Sequence, residues 1–334
     1  MRPVTVPRIH YSAAVRYPMT EIARDLGVEL RPGSYASLDR ANRVVHTREG
    51  DSLAYDALVL AVGARGTKRF QRATTLEDTR LVEQLHSLMH DVETGHARRI
   101  ACVVPSNLCW PLPVYDFALL ASACARDANV EVAITLVTPE EEPLAVFGGE
   151  ISAVVRRRLE AAGVLIVTAV RCAMSSSGHI TTYPHGDELV ADRVVTVAQL
   201  FGPSVPGVPR DAEGGFISVD EHCRVTGLEH VFAAGDGTTF PVKHGGIAAQ
   251  QAEAAAQAIA AEAGTDIEPK PLDPVLVAAM VGGPSPLYLR ARVLGGEGFA
   301  GEMSETPLWP PETIIAAPHL NGYLASRQSV GART

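Results

Sequence analysis

Short apolar runs alternate with helical patterns through the middle of the chain, and this alternation constrains the fold more than any other feature. A helix is the usual connection between two parallel strands, so such an alternation builds a parallel sheet. The pattern predicts a β-α-β-α-β unit of the mononucleotide-binding kind. Its strands and helices are expected at RRIACVVP (98–105), PLPVYDFALLASACARDA (111–128), VEVAITLVTP (130–139), GGEISAVVRRRLEAAGV (148–164) and LIVTAVRC (165–172).

Composition excludes several classes of protein. The net charge of −9 disfavours a nucleic-acid partner, because phosphate binding needs clustered Lys and Arg. No apolar run approaches the length of a transmembrane helix, and the start, MRPVTVPRIHYS, lacks the apolar core of a signal peptide. The five scattered cysteines indicate reduced thiols and a cytoplasmic location, and neither they nor the histidines show metal-ligand spacing.

The stretch VFAAGDGTTFPVKHGGIAAQQAEAAAQAIA (231–260) carries the strongest candidate site. Asp236 follows a short apolar strand and is placed to accept hydrogen bonds from sugar hydroxyls. Gly245 and Gly246 open an alanine-rich helix, expected over 247–260, and leave uncovered N–H groups that favour an anion, to which Lys243 would add a full charge. On spacing alone, an ordinary strand–loop–helix stays an open alternative.

This stretch resembles the second flavin-binding motif of the two-dinucleotide-binding-domain flavoproteins. That family includes the pyridine-nucleotide-disulfide oxidoreductases, the type II NADH dehydrogenases and the sulfide:quinone oxidoreductases. DALVLAVGAR (56–65), a continuous apolar strand that we expect to be buried on both faces, resembles the strand before the family's crossover between domains. The resemblance implies that FAD is bound by Gly63, Ala64, Arg65, Gly235, Asp236, Gly245, Gly246 and Ile247.

The order of these segments matches the family over nearly all of residues 15–334. The resemblance implies an α/β fold with two Rossmann-like domains, of the FAD- and NAD(P)-binding types, the second inserted in the first. We expect residues 1–95 and 205–270 to form the FAD-binding-type domain, and residues 96–204 to form the inserted domain. Residues 271–334 are expected to form a small irregular C-terminal region.

One unit of the family pattern has no match. The family begins with a strand, a G-x-G-x-x-G turn and a helix that holds the FAD pyrophosphate, and no such unit is found near the start of this chain. A G-x-G-x-x-G match at 296–301 precedes prolines rather than a helix, so we do not expect it to be a phosphate loop. Three explanations stay open: a longer natural protein, a truncated relative that has lost flavin, or an old scaffold with a different task.

The inserted unit also lacks the phosphate-binding glycines, since PSNLCWPLP (105–113) follows its first strand, so NAD(P) binding is expected to be weak. In this respect the chain resembles sulfide:quinone oxidoreductases and flavocytochrome-c sulfide dehydrogenases, which carry a redox cysteine in a similar loop. Cys109 would then be a reactive thiolate with a lowered pKa near a helix N-terminus. A buried inert thiol is the alternative, because no cysteine follows the Gly-Asp motif.

The leading hypothesis is an FAD-dependent oxidoreductase that passes hydride or electrons to an unidentified small-molecule substrate or electron acceptor. Cys109, Lys243 and His244 are its candidate catalytic residues, with His244 as an acid or base. The alternative is a flavin-less relative with a binding function. A membrane-associated quinone reductase is disfavoured by the short tail after Pro318. A homo-oligomer is possible in each case.

Overall fold

The computed structural model describes residues 17–76, 80–175, 178–308 and 317–331, with the side chains of 328–331 excepted. The N-terminal stretch 1–16, including the segment predicted to lack a signal peptide, lies outside the described residues. The helices are α1 (Met19–Leu26), α2 (Leu81–Glu93), α3 (Leu112–Asp127), α4 (Gly149–Ala161), α5 (Gly245–Glu262) and α6 (Pro318–Gly331). None of these described helices has the length and apolar character needed to cross a bilayer.

The strands fall into small sheets around one large one. The first nine are β1 (Tyr35–Asp39), β2 (Val44–Thr47), β3 (Ser52–Ala54), β4 (Leu58–Leu60), β5 (Arg65–Thr67), β6 (Thr74–Leu76), β7 (Arg99–Val103), β8 (Ala133–Val137) and β9 (Val164–Val167). The others are β10 (Arg171–Met174), β11 (Ile180–Tyr183), β12 (Glu188–Leu189), β13 (Arg193–Val197), β14 (Gln199–Phe201), β15 (Val231–Ala233), β16 (Val275–Met280), β17 (Leu287–Leu294) and β18 (Glu297–Ser304).

The large sheet confirms the predicted β-α-β-α-β unit. Its five strands are parallel in the order β6-β13-β7-β8-β9. Successive residues of β7 enter different cores, because side chains alternate across a strand. Ile100 and Cys102 pack with helices α2 and α3, whereas Ala101 and Val103 pack with residues of the β10–β12 sheet on the other face. The sheet is therefore buried on both faces, as expected for a parallel sheet.

The strand expected over 56–65 is much shorter than predicted, and the prediction of burial on both faces is wrong. β4 has three residues and one described neighbour, β15, with which it pairs in parallel. The chain then turns, and β5 joins β14 in a separate antiparallel pair. Val59 and Val62 are 42% and 47% exposed. The reason is that helix α5 covers Phe232 of β15 but leaves β4 largely uncovered.

The C-terminal region is also more regular than expected. The predicted strand at 287–294 is confirmed, and it is the centre of the antiparallel sheet β16-β17-β18. One face of β17 is buried in the core of the inserted domain. The glycines of the G-x-G-x-x-G match serve packing here, because a Cβ atom on Gly298 would lie 1.9 Å from the Val146 carbonyl oxygen. This agrees with the prediction that the match is not a phosphate loop.

Candidate functional site

The loops that follow β4 and β15 meet at the carboxyl ends of these two parallel strands. Gly63 and Gly235 have positive φ angles of 66° and 86°, which glycine adopts without strain. A Cβ atom on Gly237 would lie 2.9 Å from the Gly63 carbonyl oxygen. The two segments predicted to pass near FAD are therefore in contact. Arg65 is turned elsewhere, because its Nε donates to the carbonyl of Gly202 at 3.0 Å.

Gln251 ties the Gly-Asp turn to helix α5, a role that the sequence analysis missed. Its side-chain oxygen accepts a hydrogen bond from the Gly235 N–H at 2.7 Å, and its Nε2 donates to Thr238 Oγ1 at 3.1 Å. The residue is 1% exposed. A polar residue among the buried alanines of this helix was the signal for such a role, because buried amides are hydrogen-bonded.

Asp236 presents a half-buried carboxylate beside this turn. Within the described part of the chain no hydrogen bond reaches it, although neighbouring donors satisfy most buried polar groups in proteins. Burial raises the pKa of Asp236, and the charge of Lys243 opposes that shift. The carboxylate is thus an open hydrogen-bond acceptor at the point where sequence analysis predicted a ligand.

Lys243 is 4% exposed and directed into the loop. Its Nζ donates to the carbonyl of Thr238 and lies 3.9 Å from the centroid of the Phe216 ring. Burial lowers the pKa of Lys243 to about 8, and the charges of Asp236 and Asp211 oppose that shift. At neutral pH the side chain therefore carries a positive charge beneath the turn, held by a carbonyl and an aromatic face.

His244 is the N-cap of α5. Its Nδ1 accepts the N–H of Gly246 at 3.1 Å, and its carbonyl oxygen accepts the N–H of Ile247 at 3.0 Å. Burial lowers the pKa of His244 to about 4, so the ring is neutral at pH 7. The expectation of several uncovered N–H groups is wrong for Gly246 and Ile247, because the cap satisfies them. Gly245 is exposed, and no hydrogen bond to its N–H is seen among the described residues.

Cys109 lies in the loop between β7 and α3 and is 7% exposed. Its thiol donates to the carbonyl of Ser106 at 3.0 Å. Burial raises the pKa of Cys109 to about 12, which contradicts the expectation of a lowered pKa. Desolvation of the thiolate outweighs the hydrogen bonds from Ser106 and from the Cys109 backbone, which lower the pKa. The structure thus agrees with the alternative of a buried thiol in its resting state.

A cleft of about 350 Å³ adjoins Cys109 at the carboxyl ends of β7 and β8. Trp110 lines it and also contacts the His244 ring, with 4.9 Å between ring centroids. Trp110 therefore lies between the cleft and the start of α5.

Glu140 also lines the cleft. Its carboxylate accepts hydrogen bonds from Tyr115 (2.6 Å) and Thr138 (2.9 Å), and burial raises its pKa. Glu140 is thus half-buried and held by these hydrogen bonds.

The sheet, the inserted unit and the paired loops define a two-domain, dinucleotide-binding class of fold. Residues 117–261 match the family model of the pyridine nucleotide-disulphide oxidoreductases. Over this stretch the chain is similar to that family.

Curated relatives and solved structures show the same similarity. A NADH dehydrogenase-like protein of Mycobacterium tuberculosis (strain CDC 1551 / Oshkosh) is 28% identical over 67% of this chain and 58% of its own length. A peroxisomal monodehydroascorbate reductase of Arabidopsis thaliana is 25% identical over 66% of this chain and 46% of its own. The chain thus spans less than two thirds of either relative.

The fold is also that of solved reductases. The sulfide:quinone oxidoreductase of Aquifex aeolicus superposes with a TM-score of 0.71 at 15% identity, over 93% of this chain and 77% of the other. A ferredoxin reductase from Rhodopseudomonas palustris superposes with a TM-score of 0.58 at 21% identity, over 84% of this chain and 69% of the other. At these identities the likeness establishes the fold alone.

Proposed function

We infer that this chain is part of a flavin-dependent oxidoreductase and that the Gly-Asp turn binds the ribityl and isoalloxazine part of FAD. The observation that carries this proposal is the open Asp236 carboxylate, half-buried between the two glycine loops and next to the start of α5. A carboxylate in such a place gains its missing hydrogen bonds from the hydroxyls of a sugar or sugar-alcohol chain. The relatives named above, each a dehydrogenase or reductase by name, support the same class of reaction.

The residues present fit one half of FAD. Asp236 would bind the ribityl hydroxyls, while Gly63 and Gly235 leave room for the chain to approach their backbones. The exposed Gly245 N–H and the positive end of the α5 dipole would lie toward the isoalloxazine. Within the described residues, no strand–glycine turn–helix pairs with the open edge of β4 to hold the pyrophosphate.

Bound FAD would supply the two-electron redox chemistry. This chain would supply position and charge. The dipole of α5 and the buried Lys243 ammonium favour negative charge near Gly245. Both are in place before any reaction begins, so they would stabilise charge that develops there without reorganisation. His244, neutral and committed to its cap, would hold the helix start in place rather than exchange protons. The other substrate would be a small molecule that enters from the side of the inserted domain.

A titration of the purified chain with FAD, followed by flavin fluorescence, tests the proposal. Asp236→Asn keeps the size of the side chain but removes its charge and one acceptor, so FAD affinity should fall by roughly ten- to a hundredfold, the range for one or two charged hydrogen bonds. Asp266→Asn, at an exposed position outside the site, serves as the matched control. Equal affinity of the Asp236→Asn variant and the control would refute the assignment of Asp236.

A further inference from the structure

The cleft beside Cys109 has walls from four segments of the chain. The loops after β7 and β8 contribute Trp110 and Glu140, the Gly-Asp loop contributes Val242, and the β17–β18 turn contributes Glu297. Trp110 separates the cleft from the His244 cap, so a molecule in the cleft would lie across this ring from the start of α5. This places the cleft beside the proposed flavin site, at the sheet edge where open α/β domains bind their ligands.

The charge of the cleft is unfavourable for a pyrophosphate. Glu140, Glu141 and Glu297 line it, and none of the described residues that line it is Lys, Arg or His. Glu141 and Glu297 are exposed at its rim, while Glu140 lies deeper, hydrogen-bonded to Tyr115 and Thr138. These carboxylates repel a pyrophosphate, and the effect is strong in a partly enclosed space.

The backbone also lacks the glycine-rich turn that would offset this repulsion. Phosphates in such domains rest on the free N–H groups of a glycine-rich turn at a helix start. Here the turn contains no glycine, and Pro111, which directly precedes α3, has no N–H to donate. The N–H of Val114 is already bonded to the Pro111 carbonyl at 2.9 Å. The residues present therefore do not fit the pyrophosphate of NAD(P).

We propose that this cleft binds an uncharged or cationic small organic molecule, and not a nicotinamide dinucleotide, as the redox partner of the proposed flavin site. The role of this ligand as a redox partner rests on the proposed function. The chemical class of the ligand rests on the cleft itself. The Trp110 ring offers a surface on which a flat or cationic group can pack. The rim carboxylates attract a positive charge and exclude phosphates.

Calorimetric titration of the full chain with three probes tests this class. 1-Methylnicotinamide is a flat cation without phosphate, nicotinamide is its uncharged counterpart, and NAD+ carries the same ring on a pyrophosphate. We expect the first two to bind, and NAD+ to bind at least roughly tenfold more weakly than 1-methylnicotinamide because of the like charges. NAD+ binding as tight as that of 1-methylnicotinamide, or no binding of either small probe, would overturn the proposal.

Two variants locate the binding site. Glu297→Gln should lower the affinity for 1-methylnicotinamide by roughly two- to fivefold, because it removes one rim charge. The affinity for uncharged nicotinamide should stay the same. Glu268→Gln, an exposed acid outside the cleft, should change neither. Equal effects of the two variants would contradict the cleft as the site. FAD titration of the same samples separates the two proposals: a chain that binds the cation but no FAD loses the oxidoreductase role and keeps the cleft.

Discussion

Burial determines the charge of the single residues around the Gly-Asp turn. Burial lowers the pKa of His244 to about 4 and that of Lys243 to about 8, and among the described residues no hydrogen bond reaches Asp236. The sequence could predict that Asp236 and the glycines lie together, because strand ends and helix starts are marked by residue type. It could not predict the cap formed by His244 or the raised pKa of Cys109, because both depend on atoms that only the folded chain brings near.

His244 should make stability fall in acid. Its pKa of about 4 lies below the usual value, so the unfolded chain binds more protons between pH 4 and 6.5, and stability is lost as the pH falls through this window. His244→Asn keeps a good N-cap without a titrating group and should remove up to about 3 kcal/mol of this pH dependence. Urea unfolding of both proteins at pH 4.5 and 7 measures the difference. An equal loss in both would contradict the buried neutral ring.

At the scale of elements, α5 and β15 act as one unit because Gln251 joins the helix to the turn that precedes it. The sequence predicted this strand and helix, since an apolar run and a glycine pair are local signals. It overestimated β4, because strand length depends on which neighbours pair with it. It also underestimated the C-terminal sheet, whose glycines are explained by close packing on Val146 and Phe147 rather than by local preference.

Gln251→Ala should loosen the Gly-Asp turn. The change leaves the half-buried Gly235 N–H without its acceptor, which should cost about 1–3 kcal/mol in the free energy of unfolding and weaken FAD binding as well. Gln257→Ala, on the same helix but with a hydrogen bond at an exposed site, is the control and should cost no more than about 0.5 kcal/mol. Urea unfolding curves compare the two. A similar small cost for both variants would show that the turn does not depend on Gln251.

For the whole molecule, the C-terminal sheet is held to the inserted domain through Asp116 of α3. This carboxylate is 6% exposed and accepts the N–H groups of Val281 and Gly282, each at 3.0 Å. Arg158 adds a second tie through the carbonyl of Ser285. No sequence signal pointed to this contact, because the partners lie about 165 positions apart in the chain.

Asp116 should make the free energy of unfolding fall as the pH rises. Burial raises its pKa to about 7, so the folded chain holds a proton that the unfolded chain releases near pH 4, and stability is lost as the pH rises from 4 to 7. Asp116→Asn keeps an acceptor for both N–H groups without the charge. The free energy of unfolding of the variant minus that of the wild type should therefore be larger at pH 8 than at pH 5, by on the order of 2 kcal/mol. A difference that does not change with pH would refute the raised pKa.

The decisive experiment is the visible absorption spectrum of the purified chain, taken after incubation with FAD and removal of the excess by gel filtration. We expect a flavin spectrum to remain with the wild-type protein and with Asp266→Asn, and to be lost with Asp236→Asn. A wild-type protein that leaves the column colourless would contradict the claim that the Gly-Asp turn and the start of α5 form a flavin site in this chain.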